Sequence, residues 1–254
     1  MATTQTYFGR TALLPLISAA LLVTFAAPKA PASVPTSPPT FTTPTVFTND
    51  YFPFEDNAVK TFHGKTDGNH VIVVDLYLDE TRDFSWGGGT VTTRILQETE
   101  FEAGNIKEIS RNHFAQADDG TIYYFGEIVD IYENGVVVAH DGSWLVGGGT
   151  LPSDPPSTAN APDPGLFMPA NPEVGDAFKP EDLYPLVDET VTVLKVGKKV
   201  KVEAGKFDNV IKVLETTQLS SDTEKKWYAK DIGLVLVRAH GEWLELTATT
   251  FQVQ

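Results

Sequence analysis

The chain has 254 residues, no cysteine, and 34 acidic against 19 basic side chains, a net charge of −15. Such a chain offers no basic footprint for displacing counterions from a phosphate backbone, which excludes nucleic acid as a partner, and its charge opposes docking on anionic headgroups. Without cysteine there is no lipobox anchor, thiol nucleophile or thiolate metal site, so buried apolar surface has to supply the stability.

The first element is an export signal. Residues Ala12 to Ala27 form an apolar run behind Arg10, broken by Pro15, Ser18 and Thr24, and the small-residue site Ala30-Pro31-Ala32 follows. The run is shorter than the roughly twenty residues of a spanning helix, so cleavage before Ser33 is expected, with no transmembrane anchor afterwards and a periplasmic or extracellular product. Losing residues 1–32 removes Arg10 and Lys29 and no acid, leaving 17 basic and 34 acidic side chains and a net charge of −17. Residues 33–46 read as a Pro/Thr-rich linker, an extended or disordered tether. From Phe47 to the end, about 210 residues remain for a β-rich domain, enough for a sizeable core.

Strand periodicity runs through that domain. In His70 to Asp79, Ile72, Val74, Leu76 and Leu78 share one face and Asp75, Tyr77 and Asp79 the other, the alternation of a half-buried strand. The pattern recurs at Val191–Val193, Val200–Glu203 and Leu244–Leu246. Asn134-Gly135 marks a two-residue hairpin. It would set Ile131 opposite Val138 and Val129 opposite His140, making His140 a hydrogen-bonded structural residue. Asp119-Gly120, Asp141-Gly142 and Ile232-Gly233 read as further turns. Leu151 to Pro164, rich in proline after a glycine triplet, is a long loop or a boundary between halves 47–150 and 165–254. Only Lys179 to Val187 offers a short helix, limited by Pro185. The expected class is all-β, an antiparallel meander forming a curved sheet, half-barrel or sandwich.

An internal echo suggests a duplicated unit. Phe114-Ala-Gln-Ala-Asp118-Asp-Gly120-Thr-Ile122 aligns without gaps to Trp227-Tyr-Ala-Lys-Asp231-Ile-Gly233-Leu-Val235, and upstream Glu98 and Glu215 each follow an apolar strand-like segment. The order Tyr124-Phe-Gly-Glu127, Tyr132-Glu-Asn-Gly135, Gly142-Ser-Trp144, Pro164-Gly-Leu-Phe-Met-Pro-Ala-Asn-Pro172, Val174-Gly-Asp176 and Trp227-Tyr-Ala229 resembles an uncharacterised family of exported bacterial proteins. That resemblance covers roughly Phe114 to Val237 and implies a shared fold with no assigned activity. More remotely, a meander ending in an aromatic-rich turn is similar to the half-barrel of LolA/LppX-like lipoprotein carriers. Those carriers shelter acyl chains in a curved sheet with helices across its mouth; here the lipobox cysteine and lid helices are absent from the sequence.

Chemistry-bearing residues are few. His63, His70, His113, His140 and His240 are scattered without clamp spacing, so no metal site is assigned. Acids such as Asp118, Asp119 and Asp141 read as turn caps, and calcium would need six to eight converging oxygens without an EF-hand-like loop to supply them. Ser143 lacks the Gly-x-Ser-x-Gly setting, and the glycine triplets fit no phosphate or dinucleotide loop, so neither a catalytic residue nor a cofactor is expected. Aromatic residues give the lead toward a ligand. Tyr123-Tyr124-Phe125 must send rings to both faces of a strand, and Trp86, Tyr123, Tyr124 and Trp144 are the candidate ligand-binding residues. The expectation is an exported, non-catalytic binding or envelope-associated module for an apolar or carbohydrate ligand. The alternatives are a lipid or apolar-ligand carrier with Ile72, Val74 and Leu76 lining a cavity, a carbohydrate-binding module with an exposed aromatic row, and a secreted hydrolase with two close carboxylates.

Overall fold

The computed structural model describes residues 34–66 and 68–252; the expected signal segment and its cleavage point lie outside the described residues. The described chain is all-β. Its strands are β1 (Val59–Thr66), β2 (Asn69–Trp86), β3 (Gly89–Glu102), β4 (Asn105–Gln116), β5 (Ile122–Glu133), β6 (Val136–Ala139), β7 (Trp144–Val146), β8 (Ala159–Ala161), β9 (Gly165–Met168), β10 (Ala177–Leu183), β11 (Val187–Val202), β12 (Gly205–Thr216), β13 (Thr223–Ala229), β14 (Gly233–Ala239) and β15 (Glu242–Thr249).

They form one 15-stranded sheet in the order β10-β11-β12-β13-β14-β15-β1-β2-β3-β4-β5-β7-β8, with β6 and β9 also on β5. Two meanders, β1–β5 and β10–β15, join where β15 pairs with β1. All ladders are antiparallel except β7 with β8. The sheet curls into a nearly closed barrel, and its two sides meet where β9 lies against β10. No ladder joins that pair. A Cβ on Gly165 would sit 1.7 Å from the Pro180 carbonyl oxygen, so the two backbones abut directly. Pro180 has no amide to donate, which explains why side chains rather than backbone bonds close the seam.

Turn chemistry sets the meander as the sequence implies. Asn134 and Gly135 take φ of 53° and 77°, the left-handed pair a two-residue hairpin needs. A bulge then pairs Ile131 with Ala139 rather than with Val138. The Nδ1 of His140 lies 2.9 Å from the Val129 carbonyl oxygen and 2.9 Å from Asp130 Oδ1, in keeping with a hydrogen-bonded structural histidine.

Four expectations change. The segment Lys179 to Val187 is not helical: β10 covers its first part and turns into β11 through a Leu186 amide bonded to the Leu183 carbonyl at 2.8 Å. The expected linker is docked from Thr40 onward, because its threonines and one ring find partners. Asp118 accepts bonds from the Thr42 amide (2.7 Å) and the Thr40 and Thr42 hydroxyls (2.8 and 2.9 Å), while Phe41 packs edge-on against Trp86, Tyr123 and Phe125. The Leu151–Pro164 stretch contains β8 and is pinned by a two-pronged Arg82–Asp154 pair at 2.7 and 2.8 Å, so the sheet runs without a break through both expected halves. Finally, on β2 the expected faces are exchanged. Val71, Val73, Asp75 and Tyr77 point inward at 1, 5, 4 and 2% exposure, while Ile72, Val74 and Leu76 stay half-buried on the other side. Alternation fixes the period of a strand, not which face is wet.

The echoed segments do occupy matching places, each ending the strand that leads into a hairpin, β4 into β5 and β13 into β14. Their geometry differs. Phe114 is 3% exposed inside the barrel, whereas Trp227 is half-buried, and left-handed φ falls on Gly120 in the first turn but on Asp231 and Gly233 in the second. One barrel end is plugged by rings: Phe52 meets Phe114 at 4.7 Å and Phe167 at 5.0 Å, and Phe54 and Phe251 each meet Tyr77 at 5.0 Å.

Candidate functional site

Above that plug the barrel wall turns polar. Strand register places Lys60, Asp75 and Glu98 side by side on β1, β2 and β3. Lys60 is 1% exposed, and burial pulls its ammonium down to about 8 against the pull of Asp75. Asp75 is pushed up to about 6 by burial, opposed by Lys60 and by a hydrogen bond with Glu98. Glu98 is pushed up to about 8 by burial and then by the charge of Asp75. Two carboxyls that face each other in a dry wall share a proton more easily than they share two charges.

The belt continues around the barrel. On β5, burial followed by Glu181, Glu108 and Glu98 holds Glu127 well above the carboxylate range, although its bond with Tyr124 works the other way. Trp144 donates from Nε1 to Glu181 Oε1 at 3.0 Å, a bond that crosses the seam from β7 to β10. Glu181 stands opposite Glu189, and Glu215 opposite Glu224. There the lysine of β13 intervenes: Lys226 Nζ lies 2.5 Å from Glu215 Oε2 and 3.3 Å from Glu224 Oε1. Burial works against the Lys226 charge, but Glu215, Glu224 and Glu189 outweigh it and hold the ammonium well above its ordinary value.

A cavity of about 260 Å³ opens on this belt, walled by Asp75, Glu98, Glu224 and Lys226 with Phe62, Val73 and Leu234 as its apolar side. Asp75 Oδ1 is buried in that wall without a hydrogen-bond partner. Buried carboxylate oxygens are normally paired, so an orphan on a residue that lines a cavity marks a place for a donor.

The four aromatic residues singled out in the sequence separate into two pairs. Tyr124 and Trp144 meet edge to face at 5.2 Å inside the belt, with Tyr124 stacked on Phe114 and its hydroxyl donating to Asn112 Oδ1 at 2.5 Å. Trp86 and Tyr123 lie under Phe41 on the other face, and Trp86 Nε1 donates to Asp163 at 3.0 Å. No exposed aromatic row results. His63 and His70, expected to be apart, bring their rings within 5.6 Å across β1 and β2, but among the described residues no group of three or more metal-capable side chains forms. Sequence reasoning missed the belt itself. Its available signal was an acid set in a run of inward apolar residues, Val71-x-Val73-x-Asp75-x-Tyr77, together with the echoed Glu98 and Glu215.

No family model and no curated protein matches the chain. A solved structure that it resembles, a "putative lipoprotein" from Parabacteroides distasonis, is 13% identical and aligns with a TM-score of 0.39 over 80% of this chain and 99% of the other, a likeness that carries no argument about what either molecule does.

Proposed function

We propose that the chain is an exported, non-catalytic binding protein whose barrel interior takes a small organic cation, an amine on a short apolar body. Export rests on the apolar run, the small-residue site and the resemblance to an exported bacterial family. The observation that carries the ligand class is the orphan Asp75 Oδ1, beside Glu98, in a cavity with an apolar wall. An ammonium would satisfy that oxygen and convert the Asp75–Glu98 pair to its doubly ionised form, and Phe62, Val73 and Leu234 would cover the carbon body. An acyl chain is a poorer guest, since it would desolvate the carboxyls without bonding them. The volume lies below the usual ~300–1,000 Å³ of drug-sized pockets, which points to a small guest.

Calorimetry with benzylamine and butylamine against benzyl alcohol and butanol tests this reading. The amines bind and the alcohols do not, affinity rises as pH increases from about 6 to 8 because the pair must ionise, and Asp75→Asn abolishes it. Equal binding of alcohol and amine would sink the reading. A secreted hydrolase is the second reading, favoured by one observation: Glu98, kept protonated near neutrality beside Asp75, has the environment of a general acid. Turnover of nitrophenyl glycosides that is lost in Glu98→Gln would select it.

A further inference from the structure

The outside of the second meander carries the opposite charge. Across it Lys195 stands opposite Lys212, Lys212 opposite Trp227, and Trp227 opposite Leu236. Two residues along, Leu214 stands opposite Lys225, Lys225 opposite Arg238, and Arg238 opposite Trp243. Residues i and i+2 share a face, so both rows lie on one side of the sheet, the side turned away from Glu215, Lys226 and Tyr228. Two pairs of cations, Lys195 with Lys212 and Lys225 with Arg238, thus cross β11–β12 and β13–β14, each pair at the strand spacing of about 4.8 Å and the two stepped diagonally. Among the described residues none of the four forms an ion pair. Glu245, opposite Leu236, is the acid at the end of the first row.

Like charges set directly opposite each other weaken a sheet, and here Lys195–Lys212 and Lys225–Arg238 do so in a chain of net charge −15. Burial and the neighbouring Lys225 and Lys195 push Lys212 below its ordinary value, so these ammoniums feel one another. Two of the cations are held in place by rings. Lys212 Nζ lies 4.5 Å from the Trp227 ring centre and the Arg238 guanidinium 5.1 Å from that of Trp243. A cation fixed on a ring loses less side-chain freedom when an anion arrives.

We propose that this stripe binds a linear anionic glycan, laid across β11 to β14 with its acidic groups on Lys195, Lys212, Lys225 and Arg238. A polymer with one acid per sugar repeats its charge on the scale of the strand spacing, and two rows about 7 Å apart match the width of a single chain. A bilayer fits less well, because a membrane-facing surface presents large apolar side chains, and most of the exposed ones, such as Val136, Val138, Val174 and Tyr184, lie on other strands or loops, with Val196 alone on β11 to β14. Single-stranded nucleic acid stacks its bases on bare rings, whereas Trp227 and Trp243 each carry a cation.

Binding of the full chain to polygalacturonate and to dextran sulfate, with uncharged dextran as control, tests the stripe. Wild type binds at least one of the two anionic glycans and not dextran. The triple variant Lys212→Gln/Lys225→Gln/Arg238→Gln, with an unchanged melting temperature, binds on the order of tenfold more weakly at low salt, and the slope of log affinity against log salt falls by about 2. The proposal is overturned by an unaffected triple variant, by binding to neither glycan, or by tighter binding to phosphatidylglycerol vesicles or to an oligodeoxynucleotide than to either glycan.

Discussion

Among the acids set directly opposite each other inside the barrel, Asp75–Glu98 of the first meander and Glu215–Glu224 of the second differ in their cations. Glu215 and Glu224 have Lys226 between them within ion-pair distance, and the acids hold its ammonium well above its ordinary value, although burial and Glu189 still push Glu215 up. Asp75 and Glu98 have Lys60, itself drawn down to about 8, on the far side of Asp75 and feel Lys226 from across the cavity, but burial and their mutual repulsion outweigh both cations, so one of the two carboxyls stays protonated near neutrality. The difference is one of contact: an ammonium touches both acids of the second pair and neither acid of the first, which leaves the first free to answer a ligand.

Removing that contact should give the largest effect. Lys226→Gln leaves Glu215 and Glu224 without their cation, and we expect a loss of about 4 kcal/mol in urea unfolding at pH 7, the usual scale for breaking a buried pair. A loss under about 1 kcal/mol would mean that the corner is wet and the contrast with Asp75–Glu98 is not one of charge pairing. Next comes the line between the meanders. Gly165→Ala drives a methyl into the Pro180 carbonyl, and about 3 kcal/mol, a drop of roughly 6–12 °C in melting temperature, is expected.

Glu98→Gln should change stability in the other direction. The folded pKa of about 8 lies above the ordinary carboxyl value of 4.5, so the native state favours the proton. That contribution is whole below about pH 4.5 and is lost as pH rises through about 8. The neutral amide escapes the loss, and the variant should nearly match wild type at pH 4 and exceed it by about 2 kcal/mol at pH 6. A pH-independent difference would show that Glu98 is hydrated. The smallest effect belongs to Trp144→Phe, which replaces the indole by a smaller phenyl ring and deletes the donor to Glu181, for about 1.5 kcal/mol by thermal unfolding.

Much of the architecture was legible in the sequence. Asn134-Gly135 dictates its hairpin through backbone preference alone, and period-2 alternation gave the strands of both meanders. Curvature and closure were not legible, because they depend on which face turns inward. On β2 the more apolar row, Ile72, Val74 and Leu76, faces outward, and Asp75 is inside because Lys60 and Glu98, distant in sequence, stand beside it. The same long-range register hid the belt: each acid looks solvated until its neighbours are known. Phe41 shows the converse limit, since composition alone assigns residues 33–46 to a tether, yet one ring, two threonines and the backbone carbonyls of Thr40 and Pro44 bind it down.

A barrel zipped by backbone bonds can open only by breaking a ladder, but this one closes where a glycine rests on a proline that lacks an amide. It works as a cuff with a clasp. Strands within each meander are held by ladders, so the line between β9 and β10 is where the barrel parts at least cost, and a rim that meets its own other edge is hidden from the edges of other molecules.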